Sequence, residues 1–158
     1  MRRKDREVTD REELLSIIEK CDVCRLVFAD GDYPYIVPLN FGMRMEDGRP
    51  VLYFHGADQG YKYEMIEKNK KAVFEMDCGH RLVTRESNKS CTMEYECVIG
   101  RGKIEMVPEE EKFDALSVLM KHYHREDFDY NQKIIPHTNV FKLTVEQMTG
   151  KKRKVKAE

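Results

Sequence analysis

Residues 23–55 read VCRLVFADGDYPYIVPLNFGMRMEDGRPVLYFH, apolar runs broken by Asp30-Gly31-Asp32 and by Asp47-Gly48. Turn residues of this kind between runs rich in Val, Ile, Leu, Tyr and Phe are hairpin signals. Tyr35, Val37, Leu39, Phe41 and Met43 alternate with Ile36, Pro38, Asn40 and Gly42, the period of two of a strand with one buried face. The spacing predicts three antiparallel strands before residue 56, the beginning of a meander. Pro38 has no N–H for a ladder, so its strand belongs at an edge, at a bulge, or where something other than a neighbouring strand is met.

Outward from this core the chain mixes short helices with further strands. Thr9 and Asp10 stand before Glu12 and Glu13 at capping-box spacing, and Leu14, Leu15, Ile17, Ile18 and Cys21 follow, which predicts a helix over about 10–20. A second helix is expected over 60–69, ended by Asn69, then a strand from Ala72 to Asp77. The polar segment Cys78 to Ser90 lacks apolar periodicity and is expected to be a surface loop. Cys91, Met93, Tyr95, Cys97 and Ile99 alternate with Thr92, Glu94, Glu96 and Val98, a long strand that Gly100 and Gly102 can bend on its way to Val107. Pro108 and three glutamates open a helix with Phe113, Leu116, Leu119, Met120 and Tyr123 on one face. Residues 124–137 read as a crossing loop and Val140 to Val145 as a last strand. Closely spaced strands, with helices inserted between hairpins and not after every strand, give an α+β class centred on an antiparallel barrel with peripheral helices.

The length of 158 residues suits one domain, expected over 1–158 with flexible tails at 1–7 and 152–158. With 28 basic and 29 acidic side chains no global field argues for nucleic acid. The charged N-terminus leads into no apolar run of signal or membrane length, and Cys21, Cys24, Cys78, Cys91 and Cys97 are an odd number in a chain able to build its own core. Both features point to a cytoplasmic protein with free thiols and no membrane partner. The basic run Lys151 to Lys154 is expected to be solvated.

The stretch Phe54-His55-Gly56-Ala57-Asp58-Gln59-Gly60-Tyr61-Lys62 places two glycines and a cation between a strand end and a helix start. Such a junction suits phosphate: glycines let backbone N–H groups approach an anion, a helix start directs unpaired N–H groups at it, and lysine adds charge. Gly56, Gly60 and Lys62 would form the cradle; the same pattern also occurs as a plain turn. In the preceding hairpin, backbone beside Pro38 and the side chain of Asn40 could bond the polar edge of a flat ligand, or mark only an ordinary edge strand.

Other constellations are weaker. Cys21-Asp22-Val23-Cys24 has knuckle spacing and Cys78-Gly79-His80 could add a pair, but one C-x2-C without a clean second pair does not make a metal site, and none is expected. His122 and His124, with Tyr123 and Tyr130, either cap a pocket or complement the dipole of a helix end. Gly100-Arg101-Gly102-Lys103 lacks the loop length and hydroxyl residue of a P-loop, and no Rossmann fingerprint occurs.

The hairpin Tyr35 to Phe41, then Leu52-Tyr53-Phe54-His55-Gly56-Ala57 and Gly60-Tyr61-Lys62, resembles the 5-nitroimidazole-resistance proteins of the pyridoxamine-phosphate-oxidase-like, FMN-binding split barrels. The strand Tyr95 to Gly102, the helix after it and Met148-Thr149-Gly150-Lys151 keep that family's order of parts, so the resemblance runs over about residues 8–152. It implies a six-stranded split barrel and a homodimer with two FMN sites at the subunit interface. The phosphate would lie along His55, Gly56, Ala57, Gly60 and Lys62 and the flavin ring against Val37, Pro38, Leu39 and Asn40. Cys97 stands where the family usually has a small residue, which removes a hydroxyl bond to the cofactor. His55 matches a family histidine near the flavin, linked to reductive chemistry or a bound small molecule; it also reads as a structural residue at a strand end. The expected function is FMN-dependent reduction of a small acceptor, possible nitro-aromatics included, by NADH or NADPH. The alternative is a non-catalytic binder of flavin, haem or another planar ligand.

Overall fold

The computed structural model describes residues 3–129 and 131–155. The expected three-strand meander is replaced by two hairpins: β2 (Cys24–Phe28) pairs with β3 (Tyr35–Leu39) and β4 (Phe41–Glu46) with β5 (Arg49–Ala57), but the strand expected through Tyr35 to Met43 breaks at Asn40 and its halves do not pair; Gly31, Asp47 and Gly48 have positive φ in the turns. Before them lie a two-residue strand β1 (Glu7–Val8) and helix α1 (Arg11–Glu19), whose first turn is capped by the Asp10 carboxylate accepting from the Glu13 N–H at 2.8 Å. After them come α2 (Tyr61–Lys68), β6 (Lys71–Arg85), β7 (Ser90–Met106), α3 (Lys112–His122) and β8 (Thr138–Arg153).

All strand pairings are antiparallel and run in the order β3-β2-β6-β7-β8-β5-β4, with β1 added on β8. This eight-stranded sheet replaces the six strands expected. Its two end strands, β3 and β4, are separated in the chain by Asn40 alone, so the sheet must curl until its ends meet, although no ladder joins them. Pro38 is accordingly on an edge strand, as its missing N–H requires.

The concave face of the curled sheet holds the core. Leu26, Phe28, Phe41, Leu52, Phe54, Phe74, Met76, Val98, Phe141 and Leu143 are buried there, and α1 closes one side with Leu14, Ile17 and Ile18. A second cluster lies on the other face, where Ala115, Val118 and Leu119 of α3 cover Val51, Tyr53 and Val140. Gly42 permits this crossing, because a Cβ there would lie 2.5 Å from the Val118 carbonyl oxygen. The buried face of α3 is thus turned from the one expected: Phe113 is about half exposed.

Three expectations are corrected. Residues 78–90 are not a loop: β6 and β7 continue as a paired arm to Arg85 and Ser90, with an irregularity between Cys78 and Arg81. The segment missed detection because arm strands bury little, so their side chains need no apolar periodicity. β8 is also far longer than 140–145 and carries the basic run in its ladder, Lys151 opposite Glu7 and Cys97. Residues 4–7 and 152–153, assigned to tails, therefore lie in a 3-10 turn and in strands. Lastly, Lys152 and Lys154 are not simply solvated; they reach the buried Glu96 carboxylate at 3.5 and 3.6 Å, with Lys20 at 2.6 Å.

Candidate functional site

The strand-to-helix junction assembles its expected parts. β5 ends at Ala57, and α2 starts after Gly60, whose φ of 149° favours glycine and whose missing side chain leaves the helix without a side-chain cap. The Lys62 side chain folds back over both glycines: a Cβ at either Gly56 or Gly60 would lie 3.1 Å from its ammonium nitrogen. Tyr63 completes the arrangement. Its hydroxyl donates to the Ala57 carbonyl at 2.7 Å and would stand 2.7 Å from a Cβ at 56, while its ring lies 4.4 Å under the Lys62 ammonium. Exposed backbone, a half-buried cation and an uncapped helix start thus converge, the donor set an anion needs.

The neighbouring edge strand is close. Tyr35 makes an edge-on contact with Tyr61 at 5.1 Å between ring centroids, and the Tyr61 hydroxyl donates to Asp30. Val37 and Leu39 lean towards the core, whereas Pro38 and Asn40 point out and are exposed. Asn40 is already engaged, its amide donating to the Asp22 carbonyl at 3.2 Å and the Tyr123 hydroxyl at 3.1 Å. The Tyr123 hydroxyl in turn donates to Asp22 at 2.7 Å, so it anchors the β3-to-β4 corner rather than a pocket. His122 likewise meets the Cys21 carbonyl at 2.8 Å, which favours the structural reading of that cluster; Tyr130 lies outside the described residues.

His55 is not in the cradle. Side chains alternate along β5, so Phe54 and Gly56 face inward while Tyr53 and His55 face α3. His55 opens onto a separate cavity of about 200 Å³ formed with Leu116, Met120, Asn131 and Ile134. His55 itself is exposed at the cavity mouth, and partial desolvation against that wall pushes its imidazole below the ordinary histidine range, which favours the neutral ring.

Cys97 lies elsewhere again. β8 carries Asn139 beside Gly56 but Lys151 beside Cys97, twelve residues further on, on the order of 40 Å of extended strand. Cys97 is half-buried on the convex face of β7, and burial raises its thiol pKa. Pro38 shares that face, because Pro38, Arg25, Glu75 and Ile99 are successive partners across four strands.

That face has an unusual composition. Along β7 the acidic members of the alternation, Glu94 and Glu96, are buried, while Met93 and Ile99 stand 45% and 49% exposed on the side of Cys97. Ile36 at 55% and Val73 at 42% widen the apolar surface across β3 and β6. No cysteine knuckle forms: Cys24 is buried in the β2 ladder, His80 pairs with Asp77, and the described residues contain no group of three metal-ligating side chains. Tyr63 escaped the sequence reading, and Tyr123 entered it only as a helix-face and helix-end residue, since neither contact is signalled by local spacing.

A curled antiparallel sheet with peripheral helices defines the class, a split-barrel-like fold. The chain belongs to the pyridoxamine 5'-phosphate oxidase family, whose model matches residues 10–152. A solved structure named as a candidate 5-nitroimidazole antibiotic resistance protein, from Bacteroides thetaiotaomicron, is 35% identical with a TM-score of 0.78, over 92% of this chain and 85% of that one. A flavocytochrome from Azotobacter vinelandii shares the fold at 18% identity and TM-score 0.78, over 98% and 72% of the two chains. An FAD and haem binding protein from Mycobacterium smegmatis does so at 16% and 0.79, over 97% and 76%. None of the curated proteins matches the chain significantly. No helix of the described residues is long and apolar enough to cross a membrane.

Proposed function

We propose that the chain binds FMN as a homodimer and serves as a flavin-dependent reductase of a small acceptor, with NADH or NADPH as electron donor. The observation that carries the binding is the cradle: Lys62 held 3.1 Å from the space above Gly56 and Gly60, beside an uncapped helix start. These residues fit a phosphate monoester, which needs several N–H donors and one cation. Family membership and the flavin in the names of two structural relatives support the choice of anion.

In this reading Gly56, Ala57, Gly60 and Lys62 hold the phosphate, and the β3 edge at Val37 to Leu39 flanks the ring. Asn40, bound to Tyr123, acts by fixing the corner from which that edge departs. Cys97 is too far from the cradle of its own chain to share its ligand, so it belongs to the site of a second copy. The exposed apolar face around Val73, Cys97 and Ile99 gives that copy its contact. His55, neutral at the α3 cavity, holds a proton donor or acceptor for a small molecule bound there. Bound flavin would supply the hydride chemistry between nicotinamide and acceptor, and the protein the orientation. Five free thiols accord with a reducing compartment such as the cytoplasm.

The test is to add FMN to purified protein, record the visible spectrum, and then add reduced nicotinamide without oxygen. Flavin that co-purifies or binds and then bleaches supports the reductase. Bound flavin that no nicotinamide bleaches leaves the non-catalytic binder, and a protein that takes up no flavin overturns both.

A further inference from the structure

We propose that Cys21 and Cys78 form a reversible oxidation site that closes to a disulfide under hydroperoxide. The two lie 57 residues apart in the chain, yet the fold brings their thiols together beneath the end of α1. The Cys21 Sγ donates to the Ile17 carbonyl at 3.2 Å and the Cys78 Sγ reaches the same oxygen at 4.0 Å. That shared oxygen places the two sulfurs within about 7 Å of each other.

Disulfide closure needs Cα atoms within about 7 Å, and the backbone is irregular at both positions. Cys21 sits in the connection between α1 and β2. Cys78 stands where the β6–β7 register slips, next to Gly79 at φ 68°. The other cysteines are placed differently: Cys24 in the β2 ladder, Cys91 exposed near the arm tip, Cys97 on the convex face.

Burial raises both thiol pKa values, so the pair rests protonated. Cys78 is partly open, whereas Cys21 is 1% exposed, which fixes the order of events. The Cys78 thiol loses its proton to water and its sulfur attacks the peroxide; the S–O bond forms, the O–O bond breaks and hydroxide leaves. The Cys21 sulfur then attacks that of Cys78, the S–S bond forms, and the oxygen departs with a proton as water. Two thiols lose two electrons and the peroxide becomes two waters. The product ties α1 to β6 beside the Lys20–Glu96 ion pair. The site stands whether or not the chain holds flavin.

The full-length protein treated with hydrogen peroxide, then alkylated and mapped by mass spectrometry without reductant, tests this. The expected result is a Cys21–Cys78 linked peptide and a loss of about 2 Da per chain, reversed by dithiothreitol. The oxidised form should melt higher, on the order of 5 to 10 °C. Cys91→Ser should leave the link intact, and Cys78→Ser, at a partly open position, should abolish it while retaining the native circular dichroism spectrum. Mapping of the unmodified chain decides the matter even if a variant misfolds. Sulfinic acid on Cys78 with Cys21 still alkylatable, or disulfides only through Cys91 or Cys97, would overturn the proposal.

Discussion

Lys62 is the side chain on which the binding account turns. Its ammonium stands over two glycines and a tyrosine ring, so Lys62→Ala removes a cation from the cradle without opening the core. A charge-assisted bond of this type is worth about 1.5–3 kcal/mol, and FMN affinity measured by fluorescence quenching should fall about tenfold or more, with the melting temperature unchanged. His55 allows a second check. Because partial desolvation depresses its folded pKa, the neutral ring is favoured, and the stability this contributes is complete above the unfolded value of about 6.5 and lost as pH falls through the folded value. NMR titration of the His55 ring should give a midpoint below about 6.5, and a midpoint above it would contradict desolvation of this exposed ring by the cavity wall. Gly56, Gly60 and Lys62 were legible in the sequence because a strand-to-helix junction is local. For Asn40 the sequence leaves both a ligand contact and an ordinary edge position open, because its bond to Tyr123 spans 83 residues, a contact that no spacing reveals.

At the scale of elements the most informative case is the β6–β7 arm. The alternation of residues 91–99 was readable, but which phase faced inward was not: Glu94 and Glu96 take the buried side. They do so because partners await them, Arg81 and the Val155 N–H on Glu94, three lysines on Glu96. Burial pulls the Glu96 pKa up, but the Lys20 hydrogen bond and the lysine charges outweigh it and hold the carboxyl below its ordinary range. Its folded pKa is therefore the lower one, and its contribution is present above the unfolded value of about 4.3 and is lost as pH falls through the folded value. Glu96→Gln should cost about 1–2 kcal/mol in urea unfolding, a figure reduced because Lys20 and Lys154 are about half exposed. It should also flatten the acid limb of stability against pH. The same lysine partners explain why a basic run that looked like a tail is a strand end.

At the scale of the molecule, a sheet whose end strands are joined through Asn40 keeps the cradle and Cys97 apart within one chain, and leaves Val73, Met93 and Ile99 exposed on the side of Cys97. A charge placed there distinguishes surface from interface. Ile99→Glu at a half-exposed position should leave monomer stability within about 0.5 kcal/mol. Light scattering coupled to size exclusion should show the unmodified chain as a dimer and this variant as a monomer. The barrel was legible from turns and strand spacing, whereas the long arm was not, because paired strands that bury little leave no apolar period. The most direct test of the whole account is an FMN titration of the unmodified protein, Lys62→Ala and Ile99→Glu side by side. The account predicts one FMN per chain on a dimer, with both variants impaired, the first still dimeric and the second not. Binding that neither substitution weakens, or no binding at all, would contradict it.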